Sequence, residues 1–334
     1  MTEKVLLAHG DGGSLTHQLV REVFRAAFND PALEAEEDAA LLDAPSKHVR
    51  MSTDTFVIHP LEFPGGDIGK LAVTGTVNDL AVTGAEPRYL SVGFVLEEGL
   101  ELSLLKRIVQ SMAETAREAG VRIVAGDTKV VEKGRCDGIY INTCGIGFQE
   151  DVERLHVTSI CPGDRVIING GVAEHAVAVL AMRAGIHSST GLLSDCQALN
   201  KIIQGLLHRF QTIRFMRDPT RGGIATTLKE IAELAKVNIT IAEEQIPIKP
   251  EVQGALEILG MEPYYMANEG KVIIIVSPEE AEEVVTFLRD AQGQRMACEI
   301  GYVTEGTGNV LLQTPYGGTR NLKRMAGTPL PRIC

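Results

Sequence analysis

The chain has 334 residues, with 44 Asp and Glu against 32 Lys and Arg, a formal charge of −12. That length predicts two domains of about 150 residues each, and the acidity, with no dense basic run, argues against nucleic acid as a partner. Six cysteines are too few for a disulfide scaffold in a chain this long, and the 34 glycines exceed the usual share of about 7%. The opening MTEKVLLAHGDGG has only a short apolar run, well below a signal-peptide core. The apolar stretch 272–276 cannot span a bilayer. These features predict a cytoplasmic protein with reduced thiols and no membrane partner, and without C-x-x-C or H-x-x-x-H pairs a structural zinc site is not expected.

In chain order, a helix is expected over 14–29, where Leu15, Leu19, Val23 and Ala26 share a face. A strand follows at 50–58, then helical turns over 67–85 broken at Gly75 and Gly84, and a strand at 89–96. Residues 102–119 form an amphipathic helix, with Leu105, Ile108, Met112 and Ala116 on one side and Gly120 as its stop. Strands are expected at 121–125 and 138–147. The polar run before Cys161-Pro162-Gly163-Asp164 marks a domain boundary. Beyond it, strands are expected at 165–169, 213–216, 238–242 and 271–277, and helices at 173–184, 196–209, 224–236 and 279–291. Little after Gly306 looks able to hold a core, and GTPLPRIC reads as an extended, mobile arm. The division is thus 1–155, 156–315 and a flexible tail, 316–334.

Phe63-Pro-Gly-Gly-Asp-Ile-Gly-Lys-Leu fails as a phosphate-binding P-loop, because Pro64 and Leu71 stand where Gly and a hydroxyl are required. Gly65 and Gly66 before a helix start can hold an anion on free N–H groups, or Asp67 can simply cap the helix. Asp54, Asp79 and Asp127 each sit beside apolar residues at an element end. Such carboxylates are costly unless paired, hydrogen-bonded or bound to a cation. Each could be a turn or helix cap; three of them beside glycine-rich loops point to Mg²⁺ and a polyphosphate. Arg217-Asp-Pro-Thr-Arg-Gly-Gly223 offers either an anion cradle at Arg221 or a proline-stiffened turn. Glu269 is a candidate general base if burial raises its pKa, though such a loop Glu is more often simply exposed, and Lys129 either neutralises phosphoryl charge or is a solvated strand-end lysine. His48 has a surface role as its default reading. Cys334 ends the sequence on a proline-stiffened arm, which suits a carried group better than an unaided nucleophile.

HGDGG, FPGGDIGKLAVTGTVNDLAVTGA, AGDTKVV, RDPTRGG, ANEGK and the final PRIC together resemble the hydrogenase maturation carbamoyl dehydratases, within the aminoimidazole ribonucleotide synthetase-like superfamily. The likeness covers essentially the whole chain. It implies an α+β fold of two domains, with an N-terminal half that forms an intersubunit β-barrel in a homodimer, an α/β second half and a mobile tail. It also implies that a carbamoyltransferase loads Cys334 with a carbamoyl group, which the protein dehydrates with ATP to a thiocyanate. The cyanide would pass through a maturation scaffold complex to a nickel–iron hydrogenase.

Asp54, Asp79 and Asp127 would then hold Mg²⁺ and ATP, with Gly65, Gly66, Asp67, Asn78 and Thr128 nearby. Cys334, Glu269, Lys129 and His48 would carry the chemistry. Two places depart from the family pattern: Gly170-Gly171-Val-Ala-Glu174-His175-Ala176, where a Gly-Asp-His-Gly-like run is usual, and Asp11 within HGDGG. The alternatives are a non-catalytic assembly factor docking through its tail, a selenophosphate synthetase or a purine-pathway ligase. The selenophosphate reading wants a reactive Cys near the start, whereas the first here is Cys136, and the purine ligase has no use for Cys334.

Overall fold

In the first half, α1 (Ser14–Leu19), α2 (Ala26–Phe28) and α3 (Pro31–Glu34) precede β1 (Val49–Phe56) and the hairpin β2–β3 (Glu62–Phe63, Gly66–Asp67). Then come α4 (Ile68–Val82), β4 (Glu86–Glu97), α5 (Leu102–Ala119), β5 (Arg122–Val131) and β6 (Ile139–Phe148). The second half runs β7 (Arg165–Ile168), α6 (Glu174–Arg183), α7 (Asn200–Arg209), β8 (Ile213–Arg217), α8 (Gly223–Ala235), β9 (Val237–Ala242) and α9 (Pro250–Leu259). It closes with β10 (Ile273–Val276), α10 (Ala281–Asp290), β11 (Cys298–Glu305), β12 (Val310–Gln313) and β13 (Thr319–Leu322). This is a computed structural model, and it describes residues 3–34, 39–152, 154–186, 191–325 and 332–334.

The first sheet has the order β1-β6-β4-β5, with only β4 and β5 parallel. The second has the order β13-β12-β9-β11-β7-β10-β8, with only β9 and β12 parallel. The fold is the expected α+β pair of domains. α5 lays Leu105, Ile108, Met112 and Ala116 into the core and stops at Gly120, whose φ of 76° is left-handed.

Where element boundaries depart from the sequence reading, packing is the cause. α4 runs unbroken through Gly75, because a Cβ there would meet the Phe56 ring at 2.9 Å: the glycine admits β1 rather than ending the helix. The first helix widens into π-type turns over Val20–Arg25 and ends at Asn29, φ 48°. β5 runs on to Val131 through its pairing with β4, carrying Asp127 and Lys129 on an edge strand. The region after Gly306 does hold a core: Val310, Leu312 and Leu322 are buried, because β12 lies against β9 and β13 against β12. The tail therefore cannot begin at 316, which is inside that hairpin. The boundary region carries one 3₁₀ turn, Val157–Ser159, between β6 and β7.

α4 is the shared element. Ile68, Leu71, Ala72, Val73 and Val77 belong to an apolar cluster that also takes in Ala173, Ala176, Val177, Cys196 and Ala267 of the second half. Ala81 and Val82, one turn on, join Leu199, Ile203, Leu206 and Phe210. One helix thus fills the interface between the two sheets and sets the height of Asp79.

Candidate active site

The site collects at this junction. Asp54 points from β1 toward α4, its Oδ2 3.7 Å from where a Gly75 Cβ would lie. Asp79 on α4 accepts the Ser52 hydroxyl at 2.6 Å. Burial, then the Asp79 charge, pushes Asp54 up to about 6, with Arg221 opposing. Asp218, in the loop after β8, is pushed up to about 7 by burial and then by Asp79. Glu269 is 4% exposed, its Oε1 is buried without a partner, and burial followed by Asp195 and Asp218 drives its pKa well above the usual carboxylate range.

Three loops are tied together to make this possible. Asn268 accepts the Ala173 N–H at 2.8 Å and donates to Pro219 O at 2.9 Å, joining the start of α6 to the RDPTRGG loop. Asp195 accepts the N–H groups of Glu269 and Gly270 at 3.2 and 3.1 Å. Lys271 reaches Asp195 at 3.2 Å and Glu174 at 3.8 Å, and Lys249 meets Glu174 at 3.1 Å. Asp195 lies below its ordinary pKa despite burial, held there chiefly by the Lys271 charge. Asn268, Asp195, Lys271 and Asp218 are absent from the sequence-derived site. Asn268 and Lys271 sit in ANEGK itself, and Asp218 sits beside Arg221, so the signal was present in motifs already singled out.

Residues 326–331 of the expected mobile arm lie outside the described residues. Its end, 332–334, is docked rather than free. Arg332, at φ 54°, donates to Val57 O at 2.8 Å, pairs with Asp137 and lies 5.8 Å from the Tyr140 ring centroid. Arg183 holds both His59 O and Arg332 O, at 2.6 and 2.5 Å. Ile333 is 2% exposed, and Val57 N–H donates to Cys334 O at 3.3 Å. The Cys334 thiol is pushed up to about 12 by burial and by Glu269, with Arg221 opposing and Asp54 adding.

The other expected site residues divide. Asp67 is the N-cap of α4, accepting Gly69 and Lys70 N–H at 2.7 and 3.0 Å. Gly65, φ 94°, turns against Ser194, whose backbone N and O would both lie 2.8 Å from a Cβ, and Gly66 follows it in the hairpin. Asn78 gives both ends of its amide to backbone, donating to Gln197 O at 3.0 Å and accepting from Leu199 N at 2.8 Å, so it clamps the two halves together.

Asp127, Thr128 and Lys129 sit on β5, at the opposite edge of the sheet from Asp54. Three strand spacings, about 14 Å, separate the two edges. Within one chain the Asp54–Asp79–Asp127 trio is therefore not assembled, and the described residues contain no group of three or more His, Cys, Asp or Glu that could hold a metal. Asp127 pairs with Lys129 at 2.9 Å and, with Thr128 and Gly12, lines a cavity of about 480 Å³ walled by Phe24, Phe28 and Phe94. His48 also stands apart: six extended residues, about 20 Å, separate it from Asp54 along β1. Asp11 spends its carboxylate on the Gly13 N–H at 2.8 Å.

Comparison with known proteins bears on this arrangement. Residues 36–149 match the N-terminal domain, and 161–312 the C-terminal domain, of the AIR synthase related proteins. The chain is 44% identical to the carbamoyl dehydratase HypE of Rhodobacter capsulatus over 99% of its length and 98% of that protein's. To the carbamoyl dehydratase HypE of Escherichia coli it is 43% identical, over 99% of each. It superposes on the crystal structure of hydrogenase maturation protein HypE in complex with ATP with a TM-score of 0.95 at 42% identity, covering 98% of this chain and 99% of that one. The HypE chain of a HypE–HypF complex superposes with a TM-score of 0.80 at 44% identity, covering 92% and 99%. The chain belongs to the carbamoyl dehydratase HypE family. No helix among the described residues is long and apolar enough to cross a membrane.

Proposed function

We propose that the protein dehydrates an S-carbamoyl group on its own Cys334 to a thiocyanate, at the expense of ATP. The observation that carries this is the seat of Cys334: the tail end is docked through Val57 N–H and His175, burial and then the Glu269 charge raise the pKa of its thiol, and Glu269 Oε1 is buried with no partner. An unpaired buried acceptor costs about 1–3 kcal/mol, and the N–H groups of a carboxamide carried on Cys334 would satisfy it.

In the first step the carboxamide oxygen attacks the γ-phosphorus of ATP, an O–P bond forms and the bond to ADP breaks. The carboxamide nitrogen gives up one proton to water, leaving an O-phosphorylated imidate on sulfur. In the second step Glu269 takes the remaining N–H proton as the C–O bond to phosphate breaks, leaving S–C≡N and phosphate. Phosphorylation is needed because an amide oxygen is otherwise a poor leaving group. Asp54 and Asp79 offer the one or two carboxylates that Mg²⁺ takes alongside phosphate oxygens, and the Asp218 charge lies near Asp79: burial and mutual repulsion raise Asp54 and Asp218, and a cation at Asp54 and Asp79 would relieve that repulsion. Mg²⁺ held there would neutralise phosphate charge.

The Phe-walled cavity with Gly12, Asp127 and Thr128 on its rim suits an adenine base, which stacks on aromatic faces. Because Asp127 and Lys129 lie a sheet's width from Asp54, they serve the nucleotide end of this cavity or the site of a second copy in a homodimer joined through the four-stranded sheets. A carbamoyltransferase loads Cys334 in the cytoplasm, as the complex formed by a relative suggests, and a hydrogenase-maturation scaffold accepts the cyanide.

The test is intact mass after incubation with a carbamoyltransferase, carbamoyl phosphate and Mg–ATP. Cys334 gains a carbamoyl adduct and then loses one water; Cys334→Ala gains nothing. An adduct that persists with Mg–ATP present overturns the dehydratase reading in favour of an assembly factor.

A further inference from the structure

His175 is completely enclosed, edge-on to Phe63, with ring centroids 5.4 Å apart. It takes no part in the steps above, yet both its ring nitrogens are engaged. Nε2 lies 2.8 Å from the main-chain oxygen of Ile333, and Nδ1 lies 2.8 Å from Ser194 Oγ. A carbonyl can only accept, so Nε2 carries the hydrogen. Burial lowers the pKa of the ring, which is therefore neutral, so Nδ1 is the acceptor and the Ser194 hydroxyl is its donor.

Ser194 Oγ is in turn fixed by the Cys196 N–H at 3.1 Å, and Ser194 N–H by Pro64 O at 2.8 Å. The next residue, Asp195, holds the backbone of Glu269 and Gly270. One three-residue segment, 194–196, thus grips the tail through His175 on one side and the loop bearing Glu269 on the other.

From this geometry we infer that His175 is a positioning residue that sets the register of the tail, holding the Ile333 carbonyl so that the group on Cys334 lies against Glu269. Ser194 fixes the tautomer that makes this possible. The inference rests on the dehydratase reading for its consequence, but not for its test. A tail that must leave to be loaded and return to react needs a contact that closes only in the returned position. The side chain of residue 333 is apolar and cannot report its own register, whereas a hydrogen bond to its carbonyl can. A slip of one residue would place the thiol more than 3 Å away.

The test measures how fast each cysteine of the full-length, unloaded protein reacts with a thiol reagent, read by peptide mass, with exposed Cys161 as internal reference. Loss of the contact in His175→Ala raises Cys334 labelling by ~10-fold or more relative to Cys161, the worth of one buried hydrogen bond. His175→Gln, whose amide nitrogen can reach the same carbonyl, restores much of the protection. Ser194→Ala, which removes the tautomer lock and leaves the ring in place, gives an intermediate rise and serves if His175→Ala does not fold. In carbamoyl-loaded protein the same order holds for slowing of water loss, while loading by the carbamoyltransferase is no slower than in wild type. Unchanged Cys334 labelling in the folded His175 and Ser194 variants overturns the inference. Failure of wild type to lose water overturns the dehydratase reading and leaves the labelling result to stand by itself.

Discussion

Lys271→Met tests whether the buried ion network builds the site. Lys271 is 5% exposed and is the cation within 3.2 Å of an Asp195 side chain that is itself 1% exposed. Removing it leaves Asp195 with only the N–H groups of Glu269 and Gly270. Breaking a buried pair in this way costs about 3–5 kcal/mol, and at roughly 2 °C per kcal/mol for a chain of this size the melting temperature falls by ~6 °C or more. The pH dependence identifies the cause. In wild type Asp195 is held below its ordinary pKa, so its contribution is present above the unfolded value and lost only as pH falls through the lower, folded one. Without Lys271, burial raises that pKa, and the penalty grows as pH climbs above about 4. Melting curves of the two proteins should therefore converge between pH 7 and about 4.5. Adding Asp195→Asn to Lys271→Met should recover part of the loss, because the charge left behind is gone. A shift under ~2 °C, or one equally large at both pH values, would refute an electrostatic role for Lys271 in holding this loop.

Glu269→Gln should bind ATP normally and lose ~100-fold or more in thiocyanate formation. The same variant should be more stable than wild type, by a margin that widens with pH. Raised well above its usual range, Glu269 favours the fold below its unfolded pKa and loses that contribution as pH rises through the folded value, about 1.4 kcal/mol for each unit between them. Thermal melts at pH 5 and 8 check it, and an unchanged margin counts against a raised pKa at buried Glu269. Divalent-cation binding without nucleotide, followed by calorimetry, should strengthen between pH 5.5 and 7.5. Protons compete with the cation for carboxyls that titrate at about 6 and about 7 at Asp54 and Asp218. A flat profile would remove these groups from the cation site.

What could be read from sequence was whatever a local pattern dictates. α5 follows from four apolar residues at helical spacing and a terminal glycine, and Glu269 was visible as a loop carboxylate after an apolar stretch, though its burial was not. The rest depends on contacts between residues distant in the chain. Gly75 looks like a helix breaker until Phe56 is seen occupying the space where its side chain would be. β12 and β13 are each four residues long, too short to show a period, and exist because β9 offers an edge. Asp127 carries the same local signature as Asp54 and Asp79, but strand order carries it to the far edge of the sheet. His48 fails for the same kind of reason, since an extended strand removes it from Asp54 by its own length. The seat of the tail was illegible because its partners come from three segments far apart in the chain: Val57 after β1, Asp137 before β6, and His175 and Arg183 at the two ends of α6.

α4 makes the two halves inseparable parts of one object. A fragment cut at the domain boundary would keep that helix but lose Leu199, Ile203 and Phe210 from one flank and Ala173, Val177 and Ala267 from the other. It would also leave the Asn78 amide without the backbone it clamps. Such a piece would carry a stripe of bare aliphatic surface and be prone to self-association. Neither domain can therefore be exchanged with that of a relative as a module: any chimera must take α4 and its second-half lining from one parent.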